Sequence, residues 1–98
     1  MPTSLQQPKL EAFARLLTIM DELREKCPWD RKQTIDSLRI LTIEETYELA
    51  DAILKGDWSE LREEIGDIML HMVFYARIAS EQGAFDIADA LNGVCEKL

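Results

Sequence analysis

Residues 38–68, LRILTIEETYELADAILKGDWSELREEIGDI, contain two amphipathic helical patterns, one on each side of the pair Gly56-Asp57. Apolar side chains recur every three or four residues, at Leu38, Leu41, Leu49 and Ala52 before the pair and at Leu61, Ile65 and Ile68 after it. Glycine suits the end of a helix, and aspartate suits the cap of the next one. We therefore predict an antiparallel helical hairpin with a connection of about two residues.

The flanking segments extend this hairpin to an all-α bundle of about four helices. Apolar spacing predicts a first helix over residues 9–26, a second over 34–55, a third from about 57 to 82, and a fourth from Asp86 to the end. The Cys27-Pro28 pair separates the first two, because proline disfavours helical geometry at the preceding residue. Residues 1–8 are predicted to be a disordered lead-in.

The second helix has two possible starts. Thr34 is a candidate N-cap, and Thr42 with Glu45 also has the spacing of a capping box. The segment is therefore predicted either as one helix or as a short helix followed by a long one.

Composition predicts one small domain comprising residues 1–98. Of its 98 residues, 47% are hydrophobic and only four are glycine, which favours a few long elements around a buried core. A helical domain of this size gains further burial by pairing with copies of itself, so a homodimer or a higher homo-oligomer is expected. The net charge of −8 argues against nucleic acid as a partner. Without a signal peptide or a long apolar run, the chain is expected to be cytoplasmic and not to bind membranes.

Four acidic residues share the apolar faces of the predicted hairpin. Glu45 and Glu48 belong to the core-facing side of the second helix, and Glu64 and Asp67 flank core-type residues of the third. Four carboxylates brought together repel one another unless cations lie between them, and Mg²⁺ prefers oxygen ligands. Acidic residues on helices are more often simply solvated. Two matched pairs on facing helices nevertheless predict a site for one or two Mg²⁺ ions.

The order of several motifs resembles the MazG family of nucleoside triphosphate pyrophosphohydrolases. Glu44-Glu45-Thr46-Tyr47-Glu48, then fifteen residues, then Glu64-Ile65-Gly66-Asp67, is similar to the family's acidic signature. The resemblance also includes Cys27-Pro28-Trp29-Asp30-Arg31-Lys32-Gln33-Thr34, Val73-Phe74-Tyr75-Ala76 and Gly83-Ala84-Phe85-Asp86, and extends over about residues 16–98. The acidic pattern alone would be shared with dUTPase-like and phosphoribosyl-ATP hydrolases.

This resemblance implies an all-α fold that dimerises into a bundle. It implies hydrolysis of a nucleoside triphosphate between the α and β phosphates, giving a monophosphate and pyrophosphate. By position, Glu45, Glu48, Glu64 and Asp67 would bind Mg²⁺. Glu63 matches an acid whose implied role is to orient the attacking water, and Lys97 matches a lysine that contacts phosphate.

Four further residues are considered for the site. Arg31 and Lys32 could reach triphosphate oxygens, although basic residues beside a turn are usually solvated. Trp29 is a candidate for stacking on the base, although a tryptophan after proline more often fills a core, which is the preferred role here. His71 lies one turn beyond Asp67 and could hydrogen-bond that carboxylate, but a structural role is more common for a lone histidine.

The end of the chain leaves two functions open. Family members usually continue past Lys97 into a basic stretch, whereas this sequence stops at Leu98. We expect either a fragment of a longer chain or a member without those phosphate contacts. The alternative function is a catalytically silent module that dimerises or binds a nucleotide. A di-iron carboxylate bundle is excluded, because it needs Glu-x-x-His and Ile68 lies three residues before His71.

Overall fold

The computed structural model describes residues 5–98, and this range contains α-helices and no β-strand. Its five helices are α1 (Gln7–Lys26), α2 (Pro28–Lys32), α3 (Ile35–Lys55), α4 (Trp58–Glu81) and α5 (Ile87–Lys97). The all-α prediction is confirmed. The helix count of about four is low by one, because α2 occupies the segment that was predicted to be a break. Pro28 begins this five-residue helix at its first position, where its missing N–H is harmless.

The predicted lead-in is shorter than expected. Residues 1–4 lie outside the described part of the chain, and α1 already begins at Gln7 with Pro8 in its first turn. The last two residues of the predicted lead-in are therefore helical.

The predicted single domain divides into two compact units, with the boundary between Lys32 and Gln33. In the first unit, α1 packs against α2. The Arg24 guanidinium donates from Nη1 to the backbone carbonyls of Asp30 at 2.7 Å and Arg31 at 3.1 Å. These bonds satisfy carbonyls at the end of α2 that would lack partners within so short a helix.

The second unit is built on an antiparallel hairpin of α3 and α4, as predicted. Thr34 caps α3 by accepting from the Ser37 amide, and α3 then runs unbroken through Thr42. The alternative of a second start at Thr42 is therefore wrong. Gly56 adopts φ +67°, a left-handed conformation that glycine tolerates best, and Asp57 caps α4 from the next position.

Helix α5 completes the second unit by packing against α4. Gly83, with φ +70°, follows the end of α4, and the Asp86 side chain caps α5 by accepting from the Asp89 amide. The buried side chains of this unit are Leu38, Ala52, Val73, Phe74, Ala76, Ile78 and Ala79. Within residues 5–98, no helix combines the length and apolar character needed to cross a bilayer.

Candidate metal centre

Three of the four predicted metal ligands converge across the α3–α4 hairpin. Glu45 and Glu48 lie one turn apart on α3, and Glu64 approaches them from α4. One carboxylate oxygen from each of the three lies within 4.8 Å of the other two. Glu45 and Glu64 are half-buried and Glu48 is exposed. We call these three residues the acidic cluster.

Two oxygens of the acidic cluster are buried without compensation. Glu45 Oε2 and Glu64 Oε2 are shielded from solvent and have no hydrogen-bond partner among the described residues. A buried carboxylate oxygen without a partner is costly, and a cation is a common way of compensating it. Hard divalent ions such as Mg²⁺ bind to carboxylate oxygens while retaining several waters. The acidic cluster therefore fits such an ion.

The electrostatics of the cluster are most evident at Glu64. A hydrogen bond with Glu45 raises the pKa of Glu64 from 4.5 to about 7, with burial and the neighbouring Glu48 acting in the same direction. The Glu64 carboxyl is therefore about half protonated at neutral pH. Metal binding requires carboxylates without protons, so a cation in the acidic cluster would displace this proton.

The remaining predicted residues of the second unit lie outside the acidic cluster. Asp67 lies three residues beyond Glu64 on α4, and its side chain is exposed. Glu63 is also exposed, directly before Glu64 in the chain. Lys97 is exposed on the last turn of α5.

The other predicted substrate contacts belong to α2 in the first unit. Arg31 and Lys32 occupy its last turn, and both side chains are exposed. Trp29 is 54% exposed, so the expectation that it fills a core is wrong. Because the indole of Trp29 is exposed, stacking on the base of a nucleotide remains the predicted role for this residue.

One polar contact across the hairpin was missed by the sequence reasoning. Thr42 Oγ1 on α3 lies 2.9 Å from His71 Nδ1 and within hydrogen-bond distance of the Tyr75 hydroxyl, both on α4. His71 was considered only as an isolated structural residue or as a partner of Asp67. The sequence did contain one indication of this contact: His71 and Tyr75 are four residues apart and therefore lie on the same face of α4.

Comparison with known proteins assigns the family. Residues 33–98, which coincide with the second unit, match the model of the MazG nucleotide pyrophosphohydrolase domain. The nucleoside triphosphate pyrophosphohydrolase of Escherichia coli K12 is 47% identical over 87 residues, which cover 86% of this chain and 33% of that protein. The nucleoside triphosphate pyrophosphohydrolase/pyrophosphatase MazG of Thermotoga maritima is 49% identical over 88 residues, covering 88% and 34% of the two chains.

A solved structure shows the same fold. The crystal structure of a mazG-related protein from Thermotoga maritima superposes with a TM-score of 0.75 at 37% identity, covering 86% of this chain and 74% of that one. The chain spans about a third of the length of the two curated relatives described above. Its match over the whole second unit is sufficient to place it: the chain belongs to the MazG nucleotide pyrophosphohydrolase family.

Proposed function

We propose that this chain hydrolyses nucleoside triphosphates between the α and β phosphates, releasing a nucleoside monophosphate and pyrophosphate. Mg²⁺ is the proposed cofactor, bound by Glu45, Glu48 and Glu64 with Asp67 as a fourth ligand. The observation that carries the proposal is the convergence of three carboxylates on facing helices, two of them with buried oxygens that lack partners. The relatives are named nucleoside triphosphate pyrophosphohydrolases, which supports hydrolysis of a nucleoside triphosphate.

Each proposed residue has a distinct task in this reaction. When bound, Mg²⁺ draws negative charge away from the phosphate oxygens that it contacts. Glu63, exposed beside Glu64, accepts the proton of the water that attacks phosphorus. Asp67 is exposed one turn from Glu64 on α4 and would add a fourth carboxylate to the metal site.

The basic residues are proposed to bind the substrate. Lys97, Arg31 and Lys32 are exposed and would contact triphosphate oxygens, and the exposed Trp29 would stack on the base. The substrate brings several negative charges to a chain with a net charge of −8, so both these side chains and the metal are needed to offset repulsion. Action in the cytoplasm stays a prediction.

The test is product analysis with purified chain, MgCl₂ and a panel of nucleoside triphosphates. We expect monophosphate and pyrophosphate in equal amounts, and no turnover when EDTA replaces MgCl₂. Glu48→Gln and Asp67→Asn should each lower kcat by more than about 100-fold, the upper end of the cost of losing a supporting residue around a metal. Both variants should keep or raise the Tm measured without metal, because like-charge repulsion is relieved.

Asp51→Asn is the matched control for these variants. It removes a carboxylate from the same helix as Glu48, but this carboxylate is 60% exposed and pairs with Lys55. Its turnover should match that of the wild type. Release of a nucleoside diphosphate and inorganic phosphate, or full activity of both ligand variants, would contradict the proposed reaction.

We also propose that the chain forms a homodimer through α3. Four apolar side chains of α3 follow one another at steps of three, four and seven residues, as on a coiled-coil seam, and are 49–86% exposed, namely Ile40, Ile43, Tyr47 and Leu54. We call them the α3 apolar row. The same row would serve the alternative function, a silent module that dimerises or binds a nucleotide. Nucleotide binding without pyrophosphate release would favour that alternative.

A further inference from the structure

A three-residue hydrogen-bond network joins α3 to α4 close to the acidic cluster. Thr42 Oγ1 lies 3.1 Å from the Leu38 carbonyl, 2.9 Å from His71 Nδ1 and within hydrogen-bond distance of the Tyr75 hydroxyl. All three side chains are half-buried. We call Thr42, His71 and Tyr75 the Thr42 bracket.

The donors and acceptors available in the Thr42 bracket limit the directions of its hydrogen bonds. A hydroxyl has one hydrogen and two lone pairs, and a carbonyl can only accept. All three contacts are hydrogen bonds together only if Thr42 donates to the Leu38 carbonyl and accepts from both Tyr75 O–H and His71 Nδ1–H. Every hydrogen-bonding position of the Thr42 hydroxyl is then used, and such fully connected polar networks rigidify the elements that they join.

The bracket and the acidic cluster belong to the same antiparallel register. Thr42 precedes Glu45 by three residues on α3, and His71 follows Glu64 by seven residues, or two turns, on α4. Both contacts across the hairpin therefore lie along one seam between the helices. Local rotation or separation of the helices at Thr42 would change the distance between Glu45 and Glu64.

The acidic cluster needs such a restraint. In the ionised form that binds a cation, its three carboxylates repel one another, so their charges favour separation of α3 from α4 at this level. The buried side chains of α4 extend from Val73 to Ala79, so all of them lie at least nine residues beyond Glu64. The Thr42–His71 contact of the bracket lies nearer to Glu64 along α4 than any of these buried side chains.

We propose that Thr42, His71 and Tyr75 are positioning residues, which hold α3 and α4 at the separation that lets the acidic cluster bind one divalent cation. This role rests on the metal site of the proposed function. The bracket acts through the cluster and does not touch the cation. It increases metal affinity by ordering the ligands before the cation binds. Without the bracket, the three ligands are still present, but their positions are less well ordered.

The test measures metal affinity and stability separately. Thr42→Val keeps the shape of the side chain and removes the hydroxyl, whereas Thr42→Ser keeps the hydroxyl. The dissociation constant for Mn²⁺, a probe for the Mg²⁺ site, is measured by electron paramagnetic resonance, and Tm is measured without metal. We expect Thr42→Val to weaken Mn²⁺ binding by about 10-fold and Thr42→Ser to stay within about two-fold of the wild type.

Two control variants separate positioning from general destabilisation. Thr18→Val makes the same substitution in α1, where Thr18 only bonds the carbonyl of Ala14, four residues earlier. Ile78→Val trims the buried core of α4 and lowers Tm by a comparable amount. Both should leave the Mn²⁺ dissociation constant unchanged.

The outcomes distinguish this role from the proposed function. If the wild type binds Mn²⁺ and Thr42→Val binds it equally well, with only a lower Tm, the positioning role is overturned and the metal site stands. If the wild type binds no Mn²⁺, the metal site and the positioning role both fail. Should Thr42→Val not fold, Tyr75→Phe removes one bond of the bracket, and an unchanged dissociation constant there overturns the role.

Discussion

The pKa of Glu64 reflects the crowding of carboxylates in the acidic cluster. The neighbouring Glu45, together with burial and Glu48, raises the pKa of Glu64 from 4.5 to about 7, so the folded chain holds the Glu64 proton more tightly than the unfolded chain. The stabilisation that results is fully present below about pH 4.5 and is lost as the pH rises through about 7. Above that pH Glu64 is charged beside Glu45 and Glu48, and this destabilises the hairpin.

This titration predicts a pH-dependent Tm that a cation suppresses. Without metal, the Tm of the wild type should fall between about pH 5 and about pH 8 by more than that of Glu64→Gln, which cannot lose a proton there. Adding Mg²⁺ at the higher pH should restore part of the loss in the wild type alone. Calorimetry measures both. Equal slopes for the two proteins would show that Glu64 is not the group responsible.

The helices of the second unit begin at short polar side chains. Thr34, Asp57 and Asp86 each accept a hydrogen bond from a backbone amide in the first turn of the helix that follows. Between α3 and α4 only Gly56 and Asp57 make the reversal, so the cap at Asp57 also sets the register of the hairpin. The position of Glu64 opposite Glu45 depends on that register.

The cap at Asp57 gives a prediction for stability. Its Oδ1 accepts from the amides of Ser59 at 3.0 Å and Glu60 at 3.1 Å. Asp57→Ala should lower the free energy of unfolding by about 1 kcal/mol, measured by urea titration followed by circular dichroism. Asp57→Asn is the control, since asparagine caps helices about as well as aspartate. An equal loss in both variants would mean that charge, and not capping, is the cause.

The isolated chain leaves much apolar surface uncovered. Leu54 is 86% exposed, Trp58 82% and Tyr47 74%, and Trp58 lines an open cavity of about 170 Å³ at the tip of the hairpin. A chain of 98 residues cannot bury all its apolar side chains around one core. A second copy laid along the α3 apolar row would cover part of this surface.

Sedimentation equilibrium tests the proposed dimer. The wild type should have twice the chain mass of 11.3 kDa, and Leu54→Glu should shift it towards one chain while retaining its helical circular dichroism. Leu5→Glu makes the same change at a leucine that is 80% exposed and lies outside the α3 apolar row, so its mass should stay that of the wild type. A wild type that sediments as a single chain at high concentration would rule the dimer out.

Local spacing was enough to predict the long helices, their caps at Thr34, Asp57 and Asp86, and the pairing of Glu45 with Glu48. These features depend on residues within one turn of each other, where helix geometry leaves little freedom. Local spacing failed at α2, because five residues carry too short a pattern to indicate a helix beginning at proline.

Contacts between helices could not be read from the same patterns. Glu64 reaches the acidic cluster and Asp67 stays exposed, although each was equally placed by spacing on α4. Thr42 bonds to His71 and Tyr75 instead of starting a helix. Which side chains meet across a hairpin depends on the rotation and register of its two helices. An amphipathic pattern defines the face of a helix only to within about a quarter of a turn. The packing of the whole unit therefore decides the rotation and register.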